Sequence, residues 1–260
     1  MKKTQPGQTF FFVDESGDPT FYDRNGNLIV GQDGCSSLLI LGMVEISDPV
    51  PLRQAILSLQ TTIVNDPYFT EFPSIQKTKI AFHAKDDLPE VRYQFYKLLA
   101  GLGFQAQFVV ARKIERVFRN SFHSTENEFY DHLITLLFES KLHLHEQNFI
   151  YFAKRGSRNR QAPIENAIEK SILLFEQKWN TKVISKVNVQ AQTPAGEPCL
   201  SIVDYMNWAV FRAFTRNEMR YFETVREKVQ LLIDLYDTEN YPRNWYTKKH
   251  PFHINKITPL

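Results

Sequence analysis

The chain has 260 residues, of which 43% are hydrophobic and 23% are charged, so it is long enough to bury a core without disulfides. Its two cysteines, Cys35 and Cys199, exclude the disulfide framework of a small secreted protein. No signal-like segment and no apolar stretch of membrane-spanning length is found, which predicts a soluble, cytoplasmic protein without a membrane partner.

Charge is unevenly distributed along the chain. Residues 1–150 carry 14 Lys and Arg against 18 Asp and Glu, whereas residues 151–260 carry 17 against 11. An acidic first part and a basic last part fit a metal site that faces a polyanion. They equally fit two halves of one domain that attract each other.

The predicted elements alternate between strands and helices. In chain order they are strands at residues 9–13 and 37–46, helices at 52–64 and from Pro89 to Gly101, a strand at 104–111, a helix at 126–146, a strand at 148–153, a helix at 163–178, a strand at 183–190 and a helical stretch to about 236. This order predicts an α/β fold with a mixed sheet of about five strands. We expect one domain over residues 1–260 with a basic, aromatic C-terminal tail over about 241–260.

Two adjacent acids follow the first predicted strand. The run TFFFV at residues 9–13 is typical of a strand buried on both faces, and Asp14 and Glu15 come directly after it. Carboxylates at the carboxyl end of a buried strand must be solvated or bind a cation, and Mg²⁺ prefers such oxygen ligands. Strand alternation directs the two side chains to opposite sides, and we expect Asp14, which is nearest the strand, to be the acid that faces the site. The alternative is an acidic turn in which Asp14 or Ser16 caps backbone amides.

A late helix carries one acid on an otherwise apolar surface. In the run LSIVDYMNWAVFRAF, the polar residues Ser201, Asp204, Asn207 and Arg212 fall within an arc of about 140°. Such a stripe fits a polar site in the interior, with Asp204 as its acid. It fits equally well a helix edge that faces solvent.

His83 and a basic turn are the other candidate groups. His83 lies in the segment FHAKDD, where a histidine beside acids suits a general base or a metal ligand, although Asp86 and Asp87 are also good helix N-caps. The turn after residues 148–153 holds Lys154, Arg155, Arg158 and Arg160, which suit phosphate, or form an ordinary solvated charge run.

The C-terminal tail interleaves basic and aromatic residues. Residues 241–260 contain no acid, and their composition suits single-stranded nucleic acid or, equally, packing of the aromatic rings onto the domain. Nucleotide-binding glycine loops, serine hydrolase elbows and zinc motifs are all missing from the sequence.

Four of these motifs together resemble the domain-of-unknown-function family 3800. They are FVDESGD after an apolar strand, FHAKDD, the basic KRG turn and SIVDYMNWAVFR in a late helix, and the resemblance covers residues 9–255. It implies a ribonuclease H-like fold and a source in bacteria or their phages, while the family's biochemical role is largely unsettled.

The resemblance to a ribonuclease H-like fold implies roles for the acids. Active members of that superfamily hold two Mg²⁺ or Mn²⁺ ions on carboxylates, for which Asp14 matches the first-strand Asp and Asp204 is similar to the last acid. The usual acid at the end of the fourth strand is missing here, and Glu15, Glu165 or Glu169 are the available substitutes.

The leading hypothesis is therefore a nuclease or phosphodiesterase with Asp14, Glu15 and Asp204 as metal ligands and His83 as a fourth catalytic residue. The expected substrate-binding residues are Ser16, Lys154, Arg155, Arg158 and Arg212. One alternative is a non-catalytic ribonuclease H-like module that binds nucleic acid or protein. Another is a small-molecule hydrolase that uses the same acids in an enclosed pocket.

Overall fold

The computed structural model describes residues 5–154 and 161–259, and the side chains of these ranges from residue 7 onward. The strands are β1 (Gln5–Gly17), β2 (Leu38–Ile46), β3 (Gln105–Arg112), β4 (His145–Ala153), β5 (Lys186–Gln192), β6 (Val229–Leu235) and β7 (Trp245–Tyr246). The α-helices are α1 (Val50–Asn65), α2 (Ile75–Thr78), α3 (Pro89–Gly101), α4 (Glu115–Phe122), α5 (Glu126–Phe138), α6 (Gln161–Trp179), α7 (Leu200–Arg216) and α8 (Arg220–Val225). No helix in these ranges combines the length and the apolar character needed to cross a membrane.

The seven strands form one mixed sheet in the order β5-β4-β1-β2-β3-β6-β7. β1, β3, β4, β5 and β6 all run in one direction, and β2 and β7 run in the other. The carboxyl ends of the five parallel strands therefore lie at one end of the sheet, which we call the carboxyl end. The predicted α/β class and mixed sheet are confirmed, but the sheet has seven strands rather than about five.

The two strands that the sequence did not predict are β6 and β7. The segment of β6, VQLLIDL, lies within the stretch predicted as helix to about residue 236. A short apolar run of this kind is compatible with either a strand or a buried helix. Its pairing with β3 shows that it is a strand. β7 has only two residues, too few for any periodic pattern, and lies in the tail for which no element was predicted.

Helices cover both faces of the sheet. One face packs against α1, α3, α7 and α8, and we call it the α7 face. The other packs against α4, α5 and α6, and we call it the α5 face. Strand residues alternate between the two cores, so that Phe12 lies on the α7 face whereas Phe11 and Val13 lie on the α5 face.

β1 is longer than predicted. The sequence places turn residues from Asp14 onward, but β1 pairs with β2 as far as Gly17, opposite Leu39. Asp14 and Glu15 are therefore inside the strand, near the carboxyl end of the sheet, rather than in a turn. A strand backbone fixes the directions of their side chains, because successive residues point to opposite faces.

Candidate functional site

Asp14 and Glu15 lie on opposite faces of the sheet. Asp14 follows the alternation of Phe12 and so belongs to the α7 face, while Glu15 belongs to the α5 face with Val13. There the hydroxyl of Tyr130 on α5 donates a 2.6 Å hydrogen bond to Glu15 Oε2. Asp14 is thus the acid that shares a face with the late helix.

Helix α7 touches β1 at Asp14 through Asn207. Asn207 Nδ2 donates a 2.8 Å hydrogen bond to the backbone carbonyl of Asp14. The helix approaches this closely because Gly42, the partner of Asp14 on β2, has no side chain. A Cβ at Gly42 would overlap Asn207 Oδ1 and would lie 3.1 Å from a ring carbon of Phe108. The glycine therefore sets the spacing between α7 and the acid-bearing strand.

Replacing Gly42 with Ala is expected to destabilise the protein by about 1–3 kcal/mol, the usual cost of overpacking a filled core. Asn207 is buried and bonded to Asp14, so it cannot make room without losing that hydrogen bond. Urea denaturation measures the free energy of unfolding.

Gly101→Ala is the matched control for Gly42→Ala. Gly101 is the last residue of α3, and an added Cβ there would meet nothing within 4 Å. We expect this variant to be neutral or slightly stabilised, since alanine restricts the unfolded chain. Equal unfolding free energies for the two variants would contradict the close approach of α7.

The polar stripe predicted on α7 faces the interior. Ser201 and Asn207 are each only 1% exposed. Ser201 Oγ donates to the carbonyl of Phe82 at 2.9 Å, and Asp204 Oδ2 accepts the amide of Ala84 at 2.7 Å. The stripe therefore binds the backbone on both sides of His83, and the solvent-edge interpretation of this helix is wrong for these positions.

Asp204 lies beside the segment that carries His83. It precedes Asn207 by three residues, so both side chains are on one face of α7, one turn apart. Its side chain is 17% exposed, and its Oδ1 lies 3.8 Å from His83 Nε2, too far for a hydrogen bond. Burial raises the pKa of Asp204 to about 6, against the opposing influence of His83 and of the Ala84 amide.

A buried carboxylate fixes the turn that presents His83. Asp87 is 3% exposed and accepts three hydrogen bonds, from Thr78 Oγ1 at 2.7 Å, Tyr205 Oη at 2.6 Å and the His83 amide at 2.8 Å. Burial raises the pKa of Asp87 despite these bonds. The N-cap of α3 is Leu88, without a side-chain cap, so neither Asp86 nor Asp87 serves that helix as the sequence suggested.

The His83 ring itself is half exposed. Its Nδ1 lies 3.7 Å from Asp86 Oδ2 and its Nε2 faces Asp204. The ring is thus placed between two acids at ion-pair rather than hydrogen-bond distances. This leaves it able to reorient toward a molecule bound beside Asp204.

The predicted phosphate-contacting residues are spread over several elements. Ser16 shares the α7 face with Asp14, two residues further along β1. Lys154 is exposed directly after β4, the parallel neighbour of β1, and its amide donates to Gln192 of β5. Arg155 and Arg158 lie outside the described residues.

Arg212 is engaged away from Asp204. Its guanidinium bonds Glu218 with a 2.6 Å Nε–Oε2 distance and stacks on Trp208 at 5.3 Å. It lies eight residues beyond Asp204, about 12 Å along the helix axis. The geometry thus does not bring Arg212 to the two acids on the α7 face.

The candidate substitutes for a third acid lie elsewhere. α6, which carries Glu165 and Glu169, packs on the α5 face together with Glu15. Ala153, the last residue of β4, is level with Asp14 on the neighbouring strand and packs in the core of the α7 face. Across residues 5–154 and 161–259, no three His, Cys, Asp or Glu side chains converge to hold a metal ion.

Three contributors to this arrangement were not identified as functional from sequence. Asn207 was placed on the polar stripe without a role, and Asp87 and Tyr205 were not singled out as a pair. The sequence shows Asp87 and Tyr205 only as polar residues within FHAKDD and SIVDYMNWAVFR. Their pairing is not predictable from the sequence, because 118 positions separate them and only the fold brings them together.

No protein-family model matches the sequence, and a search of curated proteins finds no match.

Proposed function

We propose that this protein is a metal-dependent phosphodiesterase that cuts nucleic acid, with Asp14 and Asp204 as ligands of Mg²⁺ or Mn²⁺. The observation that carries the proposal is the contact of α7 with β1. Asn207 bonds the backbone of Asp14, and Asp204 lies one turn away on the same side of the helix. Two acids from distant parts of the chain thereby come to one face near the carboxyl end of the sheet.

The donor set fits a hard divalent cation. Mg²⁺ is often bound by one or two carboxylates together with waters and substrate phosphates, rather than by a full set of protein ligands. Asp204 is largely buried, with a raised pKa, so the Ala84 amide and His83 offset the desolvation of its carboxylate only in part. A bound cation would stabilise the ionised form further. Glu15 is left out of the proposed ligands because it lies on the opposite face, bonded to Tyr130.

The sheet is compatible with the ribonuclease H-like fold that the sequence resemblance implies. Five consecutive strands, counted from the β5 edge, are in the order β5-β4-β1-β2-β3, with β2 alone antiparallel to the rest. Asp14 is on the central strand of these five, and Asp204 is on the helix that packs over it. This arrangement supports the pairing of the two acids.

Each residue of the site has a separate task in the proposal. A bound metal would supply a Lewis acid that lowers the pKa of a water and stabilises charge on the phosphate. His83 accepts or positions a proton beside Asp204, held there by the Asp87 turn. Lys154 holds the phosphate backbone at the end of β4.

A non-catalytic module that binds nucleic acid or protein is the second candidate. It is favoured by Ala153, which stands beside Asp14 where a further acid is usual in the enzymes of the implied fold. This candidate predicts binding that weakens steeply with salt and that needs no metal.

A cleavage assay separates the two candidates. Single- and double-stranded DNA and RNA are each incubated with the protein in Mg²⁺, in Mn²⁺ and in a chelator. The enzyme proposal predicts products from at least one substrate with metal and none with the chelator. If every substrate stays intact under all conditions, and binding weakens as salt increases, the enzyme proposal is wrong and the binding module is favoured.

A further inference from the structure

The aromatic residues of the C-terminal segment fall into two groups. Tyr246 and Phe252 are 1% and 3% exposed and pack in the core of the α7 face. Tyr241 and Trp245 are 74% and 48% exposed. Packing onto the domain therefore explains the first pair of rings and leaves the second pair unexplained.

Exposed cations surround the two exposed rings. Arg243, Lys248 and Lys249 are exposed within nine residues, and residues 241–260 contain no acid. Lys248 makes a loose surface ion pair with Glu227, at 3.6 Å. Among the described residues, no acid lies within ion-pair distance of Arg243 or Lys249. We call residues 241–249 the Trp245 surface.

The backbone of the Trp245 surface is held firmly to the sheet. Asp234 and Asn244 are joined by two hydrogen bonds of 2.8 Å, one between backbones and one from Asn244 Nδ2 to the Asp234 carbonyl. His250 Nδ1 lies 2.9 Å from the carbonyl of Trp245, and its ring packs edge-on against the indole at 5.9 Å. A rigidly held aromatic side chain binds at a lower entropic cost than a mobile one.

The Trp245 surface lies apart from the candidate site. The strand registers place Glu15, Leu41, Val109, Ile233 and Trp245 in one transverse row, whose side chains belong to the α5 face. Asp14 lies in the adjacent row, whose side chains belong to the α7 face. Four strand spacings, or about 19 Å, also separate β1 from β7. The Trp245 surface is therefore a second surface, distinct from the two acids.

We propose that the Trp245 surface binds single-stranded nucleic acid. Exposed rings offer stacking faces to unpaired bases, and the neighbouring cations offer contacts to phosphates. In a duplex the base faces are stacked inside the helix, so the surface favours a single strand. The inference rests on the proposed function only for the class of ligand, since the binding itself requires neither Asp14 nor Asp204.

Fluorescence anisotropy with a labelled single-stranded oligodeoxynucleotide of mixed sequence tests the inference. All measurements are made in a chelator, so that no strand is cut, and the matched duplex is the competing probe. We expect the single strand to bind more tightly than the duplex. Trp245→Ala is expected to weaken single-strand binding about tenfold, and Trp245→Phe to retain most of it, because stacking on one ring is the interaction removed.

Trp179→Ala is the matched control. Trp179 is 53% exposed at the end of α6, which packs beside β5 at the opposite edge of the sheet from β7. We expect wild-type affinity for this variant. Lys249→Gln is expected to reduce the slope of log affinity against log salt by about one unit, because one phosphate contact is lost.

The inference is overturned if Trp245→Ala binds the single strand as tightly as wild type, or if Trp179→Ala weakens binding equally. Its failure is distinct from failure of the proposed function. If the protein cuts nucleic acid with metal but Trp245→Ala binds normally, only the proposed binding surface is refuted. If Trp245→Ala binds tenfold more weakly but the protein cuts nothing, only the proposed phosphodiesterase activity is refuted.

Discussion

Asp14→Asn and Asp204→Asn are each expected to lower metal-dependent cleavage by at least about a hundredfold, the usual effect of losing one group that stabilises charge in the transition state. Asparagine keeps the shape of aspartate and removes its charge. In Asp204→Asn the oxygen of the new side-chain amide would still accept the Ala84 amide, so the fold around His83 is preserved. Rates on the best substrate, with Mg²⁺ or Mn²⁺ saturating for wild type, provide the measurement.

Asp33→Asn is the control for these two variants, because Asp33 is an exposed acid in the loop before β2. It is expected to cut at the wild-type rate. Activity near wild type in either Asp14→Asn or Asp204→Asn would show that the two acids do not share a catalytic site.

Arg112→Met is expected to destabilise the protein by about 3–5 kcal/mol, since it leaves a buried carboxylate without its partner. The Arg112 guanidinium bonds Asp234 in bidentate fashion, at 2.9 and 2.8 Å, and also donates to the carbonyl of Pro259 at 2.8 Å. The two side chains are 9% and 0% exposed. Denaturant unfolding monitored by circular dichroism gives the loss.

The double variant Arg112→Met/Asp234→Leu is expected to recover part of this loss, because it removes the charge of Asp234 together with that of Arg112. Asp237, whose Oδ2 lies 3.7 Å from Arg112 Nη2, keeps its hydrogen bonds from Asn240 and Thr258. Glu139→Gln provides a surface comparison. It breaks the 2.7 Å pair with Lys178, whose side chain is 59% exposed, and should cost less than about 1 kcal/mol. A double variant that is less stable than Arg112→Met would contradict the mutual compensation of the Arg112 and Asp234 charges.

The sequence predicts those parts of the fold that have a strong local pattern. Four apolar runs correspond to β1 through β4, because strands buried between two helix layers are apolar on both faces. The alternating run at 183–190 corresponds to β5, which is partly exposed. β6 also carries an apolar run, but it adjoins a helical stretch, and only its pairing with β3 identifies it. α5 ends at Phe138 rather than near residue 146, since β4 takes His145 onward into pairing with β1 and β5.

The candidate site is predictable only one element at a time. Alternation assigns Asp14 to one face of β1, and the helical period places Asp204 beside Asn207. That these faces meet depends on the packing of α7 over Gly42, a contact between distant positions without a local pattern. The same limit applies to Asp87, whose bond to Tyr205 joins two motifs that lie far apart in the chain.

The raised pKa of Asp204 makes stability depend on pH when no metal is bound. Its folded-state pKa of about 6 exceeds the ordinary 3.8, so the folded protein binds the proton more tightly than the unfolded chain. Its contribution to stability is therefore greatest below about pH 4 and is lost as the pH rises toward 6 and above. The loss is up to about 3 kcal/mol, and Asp204→Asn removes it.

The central claim is that Asp14 and Asp204 form one cation site, and thermal unfolding at pH 8 with and without Mn²⁺ tests it most directly. A cation that binds only the folded protein raises the melting temperature, by several degrees at about a hundredfold excess over its dissociation constant. We expect this increase for wild type and for Asp33→Asn, and no increase for Asp14→Asn or Asp204→Asn. An unchanged melting temperature in wild type, or the same increase in all four proteins, would contradict it.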